Sequence, residues 1–252
     1  MRWLLGLLVT LAALPAQAEE VVLGLSSDTV AISTDFDGSD ILIYGAVKRE
    51  APIAEAPLQV IVTVSGPFQP LTVRRKERRF GIWINTDSVF VDAAPSFYAV
   101  ATSAPWQEVI SDTEDLRHRI SIPRAIRSVG APESVPDAQS FTEAVIRVRT
   151  DEGTYKVLES SVGLREQTLF DTSVQLPANL TEGTYSTRVF LTRDRAVVSS
   201  FATTIEVRKV GLERWLHALS RQQPLVYGLM SLALAIAAGW GASAAFRAIR
   251  HQ

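Results

Sequence analysis

Residues 222–246 carry no charged side chain, and from Leu225 onward almost every residue is apolar or small. A helix rises about 1.5 Å per residue, so a run of this length matches a hydrocarbon core of roughly 30 Å. Backbone inside lipid must satisfy its own hydrogen bonds, which leaves the α-helix as the form for a lone span. Residues 222–246 are therefore expected to be a transmembrane helix, because little protein follows them that could cover a buried core helix. A second apolar stretch, residues 3–14, follows Arg2 and precedes Ala16-Gln17-Ala18. It is too short to span, and the small-x-small triplet is a cleavage pattern, so residues 1–18 read as a signal peptide and the mature chain as starting at Glu19.

The order of the two segments sets an orientation. Export of the N-terminal side followed by one span returns residues 247–252 to the cytoplasm, where Arg247 and Arg250 satisfy the positive-inside tendency. Arg208, Lys209, Arg214 and Arg221 precede the span and blur the charge asymmetry, but translocation of the body is decided earlier, by the signal. The expected setting is a bacterial inner membrane with a periplasmic body and a single pass. The same features fit a type I protein of a eukaryote.

Composition narrows the chemistry. The chain has no cysteine, which removes disulfides, thiol catalysis and cysteine metal sites. Its formal charge of -2, one unit more negative once Arg2 leaves, points to neither a nucleic-acid partner nor a strongly charged substrate. Asn179-Leu180-Thr181 is a glycosylation sequon by pattern and carries no meaning in a bacterium.

Short β-branched or alternating runs dominate the body. Strands are expected over 21–25, 29–33, 41–47, 58–64, 71–75, 80–85 and 97–102, with Phe80, Ile82 and Ile84 alternating against Gly81 and Trp83 as in a half-buried strand. Asp37-Gly38, Ala51-Pro52, Gly66-Pro67 and Ala94-Pro95 break the runs. Seven strands in about 85 residues suggest an immunoglobulin-like β-sandwich over 19–104. Residues 105–152 read as a helical and linker region: Pro105 opens a short helix burying Trp106, Val109 and Ile110, and Pro123, Gly130, Pro132 and Pro136 mark a linker. Ser140 and Glu143 there form a capping box ahead of Phe141, Val145 and Val148. A second β-rich region spans 153–208, with strands near 169–174, 185–192 and 196–207. The fold class is thus mainly β, one or two sandwich domains with a short helical insertion and a C-terminal span. Residues 209–221 place Leu212, Trp215, Leu216 and Leu219 on one helical stripe. Arg214, Trp215 and Arg221 suit a membrane interface, although a rigid stalk would show the same pattern.

Candidate sites are few. In "STDFDGSDILIYG", residues 33–45, a calcium loop with Gly38 at its sixth position would put Tyr44 at the twelfth, where a bidentate glutamate is needed. An Asp-Gly hairpin turn explains the stretch better. Of three histidines, His217 lies beside the span and His251 in the tail, so only His118 could serve a triad in the body. It sits in the charge-rich 112–119, where Glu114 and Asp115 read as hydrated surface. No serine elbow, phosphate loop or zinc-binding helix motif is present. No enzyme activity, cofactor or metal is expected. The basic run Arg74-Arg75-Lys76-Glu77-Arg78-Arg79 reads as an exposed hairpin tip that could touch anionic lipid or an acidic partner. In the span, Ser231, Ala235, Gly239 and Ser243 recur every four residues, a small-residue face that lets another helix approach.

The stretches "VAISTDFDGSDILIYGAV", "RRFGIWINTDSVFVDAAPSFYAVATS", "FTEAVIRVRTDEGTY" and "LPANLTEGTYSTRVFLTRDRAVVSS" resemble alphaproteobacterial transmembrane proteins with a signal peptide, a periplasmic region and one C-terminal span. The resemblance covers nearly the whole chain. It implies topology and lineage, and an accessory role beside a sulfite-exporter-like permease for anions or sulfur compounds. It transfers no functional residue. The expected function is a membrane-anchored periplasmic interaction protein whose partners are the bilayer and either another membrane protein or a second copy. The alternatives are a periplasmic ligand-binding or sensory module and, third, a hydrolase using His118.

Overall fold

The computed structural model describes residues 19–32, 36–49, 56–128, 135, 137–209, 216 and 219–250. Residues 1–18, the Ala51-Pro52, Gly130, Pro132 and Pro136 breaks, Arg214, Trp215 and His217 lie outside them. The chain is mainly β. Strands β1 (Glu20–Leu25), β2 (Thr29–Ile32), β3 (Ser39–Lys48), β4 (Leu58–Ser65), β5 (Phe68–Arg79), β6 (Ile82–Pro95) and β7 (Tyr98–Thr102) come first. Among the described residues four helices follow: α1 (Trp106–Val109), α2 (Asp112–His118), α3 (Ile122–Ala125) and α4 (Ala138–Asp151). Then come β8 (Tyr155–Leu158), β9 (Gly163–Arg165), β10 (Leu169–Leu176), β11 (Gly183–Arg193) and β12 (Ala196–Lys209), and finally α5 (Pro224–Arg250). Two compact units result, a body that runs to Val207 and a unit that holds α5.

The strands sort into a four-stranded sheet, β1-β3-β10-β9, a six-stranded sheet, β2-β12-β11-β4-β7-β8, and the separate β5-β6 hairpin. Strands from 19–104 and from 153–208 therefore share both larger sheets. β7 and β8 pair in parallel. A parallel pair needs a long crossover, and the four helices provide it, so the helical region is the link between two neighbouring strands of one sheet.

Near-continuous hydrophobicity in "LQVIVTVS" has a direct cause: β4 is buried on both faces. Ile61, Tyr98, Val100 and Phe190 pack with Val109, Ile110, Ile120, Ile122 and Val145 from the crossover. On the other face Leu58, Val60, Val62, Val64, Val189 and Leu191 are buried, as are Val21, Ile41, Ile43, Val47, Phe170 and Val174 of the four-stranded sheet, whose β10 lies against β7. Full burial of each such side chain stabilises by about 1.5–3 kcal/mol. Tyrosine hydroxyls pin the layers: Tyr98 donates to the Ile120 carbonyl at 2.8 Å and Tyr155 to that of Pro95 at 2.8 Å.

Several expectations are corrected. Asp37-Gly38 is not a hairpin turn, because β2 and β3 lie in different sheets and their pairing partners are β12, β1 and β10. Gly38 is required for another reason: its φ is +117°, and a Cβ there would stand 2.7 Å from the Leu176 carbonyl oxygen. Ser140 does not cap a helix. α4 begins earlier, at Ala138, and the Ser140 hydroxyl donates back to the Asp137 carbonyl at 2.8 Å. Phe141 and Val145 are buried, whereas Val148, grouped with them by spacing, is 49% exposed. The stretch 112–118 is a helix, α2, that buries Glu114 and Asp115.

Candidate functional site

The β5-β6 hairpin is built from two unlike halves. At its base Leu71, Val73, Val89 and Val91 face the crossover helices. Arg75 ends that contact. Its guanidinium lies 4.6 Å over the Phe141 ring, donates to Asp137 and, at 2.8 Å, to the Ser140 hydroxyl, and stands 3.7 Å from Asp87. The hydrogen bond from Arg75, ahead of the smaller opposing effect of burial, holds the Asp137 carboxyl below its ordinary range. A register shift follows between Arg75 and Lys76. Past it the pairs Lys76–Asn85, Glu77–Ile84, Arg78–Trp83 and Arg79–Ile82 carry the arm to Phe80-Gly81. The basic run therefore lines one arm of the hairpin, and the apex itself is aromatic.

Phe80, Ile82 and Ile84 were expected to be half-buried. They are 105%, 64% and 37% exposed, and Trp83 is 68% exposed, because this part of the hairpin reaches beyond the body. The sequence held a signal for it: a strand whose partner carries five cations in six residues has no apolar neighbour to bury against.

A second exposed apolar surface escaped the sequence pattern. On the outer face of the four-stranded sheet, Val22 and Leu169 flank Ala46, and Tyr44 lies beside Gly24 and Asp171. Val22, Leu42, Tyr44 and Leu169 are 44–55% exposed. They form an open hollow of about 570 Å³ bordered by Arg165, which is 3.4 Å from Asp171. A Cβ on Gly24 would come within 2.6 Å of the Tyr44 ring, so glycine is what lets the ring lie flat on the sheet. The alternation of β3 was legible; that its outward positions are apolar too became visible only with the pairing.

The crossover holds the residues a hydrolase would need, and they have structural partners. Asp115 accepts from the Ile120 and Ser121 amides at 3.1 and 2.7 Å and from the Ser121 hydroxyl at 2.7 Å. Glu114 accepts from Arg117 at 2.6 Å and has His118 Nε2 at 3.5 Å. His118 packs edge-on to Phe190, and its carbonyl accepts from Arg188 at 2.9 Å. These carboxylates, expected to be hydrated, are buried for separate reasons: Asp115 is the acceptor for the free amides of the turn after α2, and Glu114 accepts from the Val197 amide of β12 at 3.3 Å. Beside them a cleft of about 660 Å³ is lined by Ser121, Arg124, Thr142 and Glu143. Among the described residues, no group of three or more histidines and carboxylates could hold a metal ion.

Ser231, Ala235, Gly239 and Ser243 all fall on α5, exposed and spaced to share a face, and Arg221 is exposed just before it. Pro224–Ser243 is the candidate span among the described residues, and none of it is buried. Residues 20–248 match the family described as "Putative transmembrane protein (Alph_Pro_TM)". The chain belongs to that family. Membership in Alph_Pro_TM agrees with the single candidate span found among the described residues, at the C-terminal side. No curated protein matches the chain. Among solved structures it is similar to the sporulation control protein Spo0M from Bacillus subtilis, with 11% identity over 81% of this chain and 56% of that one. The chain thus spans little more than half of that structure's length, and a TM-score of 0.28 carries no argument about fold.

Proposed function

We propose that this Alph_Pro_TM member is a non-catalytic, single-span envelope protein that presents its β body to a second membrane protein. On this reading the signal is cut after Ala18, the body is an immunoglobulin-like sandwich elaborated by the helical crossover and stands in the periplasm, α5 crosses the inner membrane, and residues 247–252 reach the cytoplasm. The partner is an inner-membrane permease for anions or sulfur compounds, or a second copy. One observation supports the binding role above others: the open apolar face made by Val22, Leu42, Tyr44 and Leu169. Apolar side chains gathered on one sheet face, rather than scattered, are what a partner surface desolvates. The small-residue face of α5 would let a partner helix pack in the same complex.

Photocrosslinking from position 44 of the full chain in native membranes tests it. A crosslinked membrane protein, or a dimer, is expected. Tyr44→Arg should reduce capture about thirtyfold, the effect of losing a hot spot of about 2 kcal/mol, and Gly239→Leu should weaken it further. A monomer without crosslinks, unchanged by either substitution, would count against the proposal. The cleft beside Arg124 and Glu143 favours a second reading, a ligand-binding or sensory module, which thermal-shift screening against anions and small organic acids would reveal.

A further inference from the structure

The distal β5-β6 hairpin combines three features that one occupant accounts for. The apex breaks a local rule. Phe80 and Gly81 have φ of +49° and +84°, the two-residue turn that favours Asn-Gly. A bulky side chain in the left-handed region is strained, and such strain persists where the position serves something other than stability. Here it presents a fully exposed aromatic ring.

The apolar groups surround the apex on every side. Pairing across the hairpin puts Ile82 and Ile84 on one face, with Arg79 and Glu77, and Trp83 on the other, with Arg78. A rigid protein surface would meet one face and leave the other wet. A fluid layer can wrap both.

Behind the apolar apex stand cations. Arg75 is committed to α4, but Arg74, Lys76, Arg78 and Arg79 are exposed on the arm, and Glu77 is the lone carboxylate among them, 3.2 Å from Arg79. At roughly 3.4 Å per residue, the four pairs beyond Arg75 hold the apex about 14 Å out. That reach would place the ring at the acyl boundary, with Arg78 and Arg79 just behind it at the phosphates and Lys76 and Arg74 farther back on the headgroup side. Aromatic residues favour that interface, and Arg and Lys favour anionic headgroups.

We propose that the β5-β6 hairpin docks on an anionic phospholipid bilayer, its Phe80 apex inserted among the lipids and Arg74, Lys76, Arg78 and Arg79 at the headgroups. The site rests on the chain being anchored to a bilayer and is independent of the partner suggested for the four-stranded sheet. It gives a tethered body a second, charge-dependent foothold on the membrane.

The absence of native cysteine permits a clean test. Full-length Ile82→Cys, labelled with an environment-sensitive fluorophore, is reconstituted into phosphatidylcholine vesicles with or without about one-third phosphatidylglycerol. α5 keeps every variant in the vesicle, so the readout is the label's position and not attachment. The expected result is a blue-shifted label, quenched by nitroxide lipids, in the anionic vesicles only, with the signal declining as salt shortens the screening length. Neutralising Arg74, Lys76, Arg78 and Arg79 to Gln should shift the docked-to-free ratio several hundredfold, each of the four charges being worth roughly fivefold. Phe80→Asn, which suits the turn and cannot be blamed on misfolding, should abolish quenching. A label equally wet in both vesicle types would overturn the proposal. So would protection that requires a co-reconstituted membrane protein instead of phosphatidylglycerol, which would identify an acidic protein surface as the occupant.

Discussion

Glu19 joins two arginines that hold distant parts of the body. It accepts from Arg49 Nε at 2.7 Å and from Arg193 at 2.8 Å. Arg49 also donates to the Thr168 hydroxyl at 3.1 Å and to the Gln167 carbonyl, and Arg193 to that of Ala56. One carboxylate thus couples the entry to β1, the exit from β3, the approach to β4, the turn before β10 and the end of β11. The side chains of all three residues are at most 16% exposed, so removing the carboxylate would leave two guanidinium charges poorly compensated. Burial pushes the Glu19 carboxyl up, but the hydrogen bonds and charges of the two arginines together outweigh it and hold it below its ordinary 4.5. A depressed carboxyl contributes stability above its unfolded-state value, and that contribution is lost as pH falls through the folded one. Glu19→Gln should therefore cost about 1.5–3 kcal/mol at neutral pH, the range for hydrogen bonds to a charged group. It should also flatten the decline in stability below about pH 4.5. Urea titrations from neutral pH down to about pH 3 would check both; equal acid slopes in the two proteins would show that Glu19 is not linked to folding.

At the scale of elements, the hairpin shows where stability and the lipid-docking proposal conflict. A left-handed bulky residue costs roughly 1–2 kcal/mol, so Phe80→Asn should tighten the turn by about that amount. Because the apex touches nothing in the body, the gain belongs to local opening. Amides of residues 76–85 should exchange several-fold more slowly while the global melting temperature moves little. Faster exchange in the variant would mean that Phe80 stabilises the turn by contacts the backbone does not reveal. The same hairpin marks the limit of what sequence discloses. Strand existence was legible because period-two and β-branched runs report local burial, as in β3, β4 and β11. The exposed Ile82 and Ile84 were not, because alternation says that two faces differ and never says that either is covered. α2 was read as a solvated charge run since its burial of Asp115 depends on the amides of Ile120 and Ser121, which lie past the helix. The Asp37-Gly38 signal named a break correctly and its geometry wrongly, for a hairpin requires the flanking strands to pair, and pairing is decided by the whole sheet.

For the body as a whole, the decisive contacts are long in sequence. Ala46 pairs with Leu169, Val62 with Val189, and β2 borders β12, so neither larger sheet closes until the second β-rich stretch arrives. Residues such as Ile43 and Phe170 gain their burial only from that late pairing, and an isolated first stretch would leave β3 and β4 with open edges. Such topology couples the two halves and slows folding, since loop closure precedes any reward. The body should then open as one cooperative unit. Ile43→Ala, which empties a fully buried site on β3, should cost about 3 kcal/mol and speed exchange of the slowest amides about a hundredfold. If the halves are one unit, the acceleration is the same in β11 as in β3, although Ile43 lies in the other sheet. Should the β11 amides keep their protection while those of β3 lose it, the two sheets would be separate folding units that merely share strands from both parts of the chain.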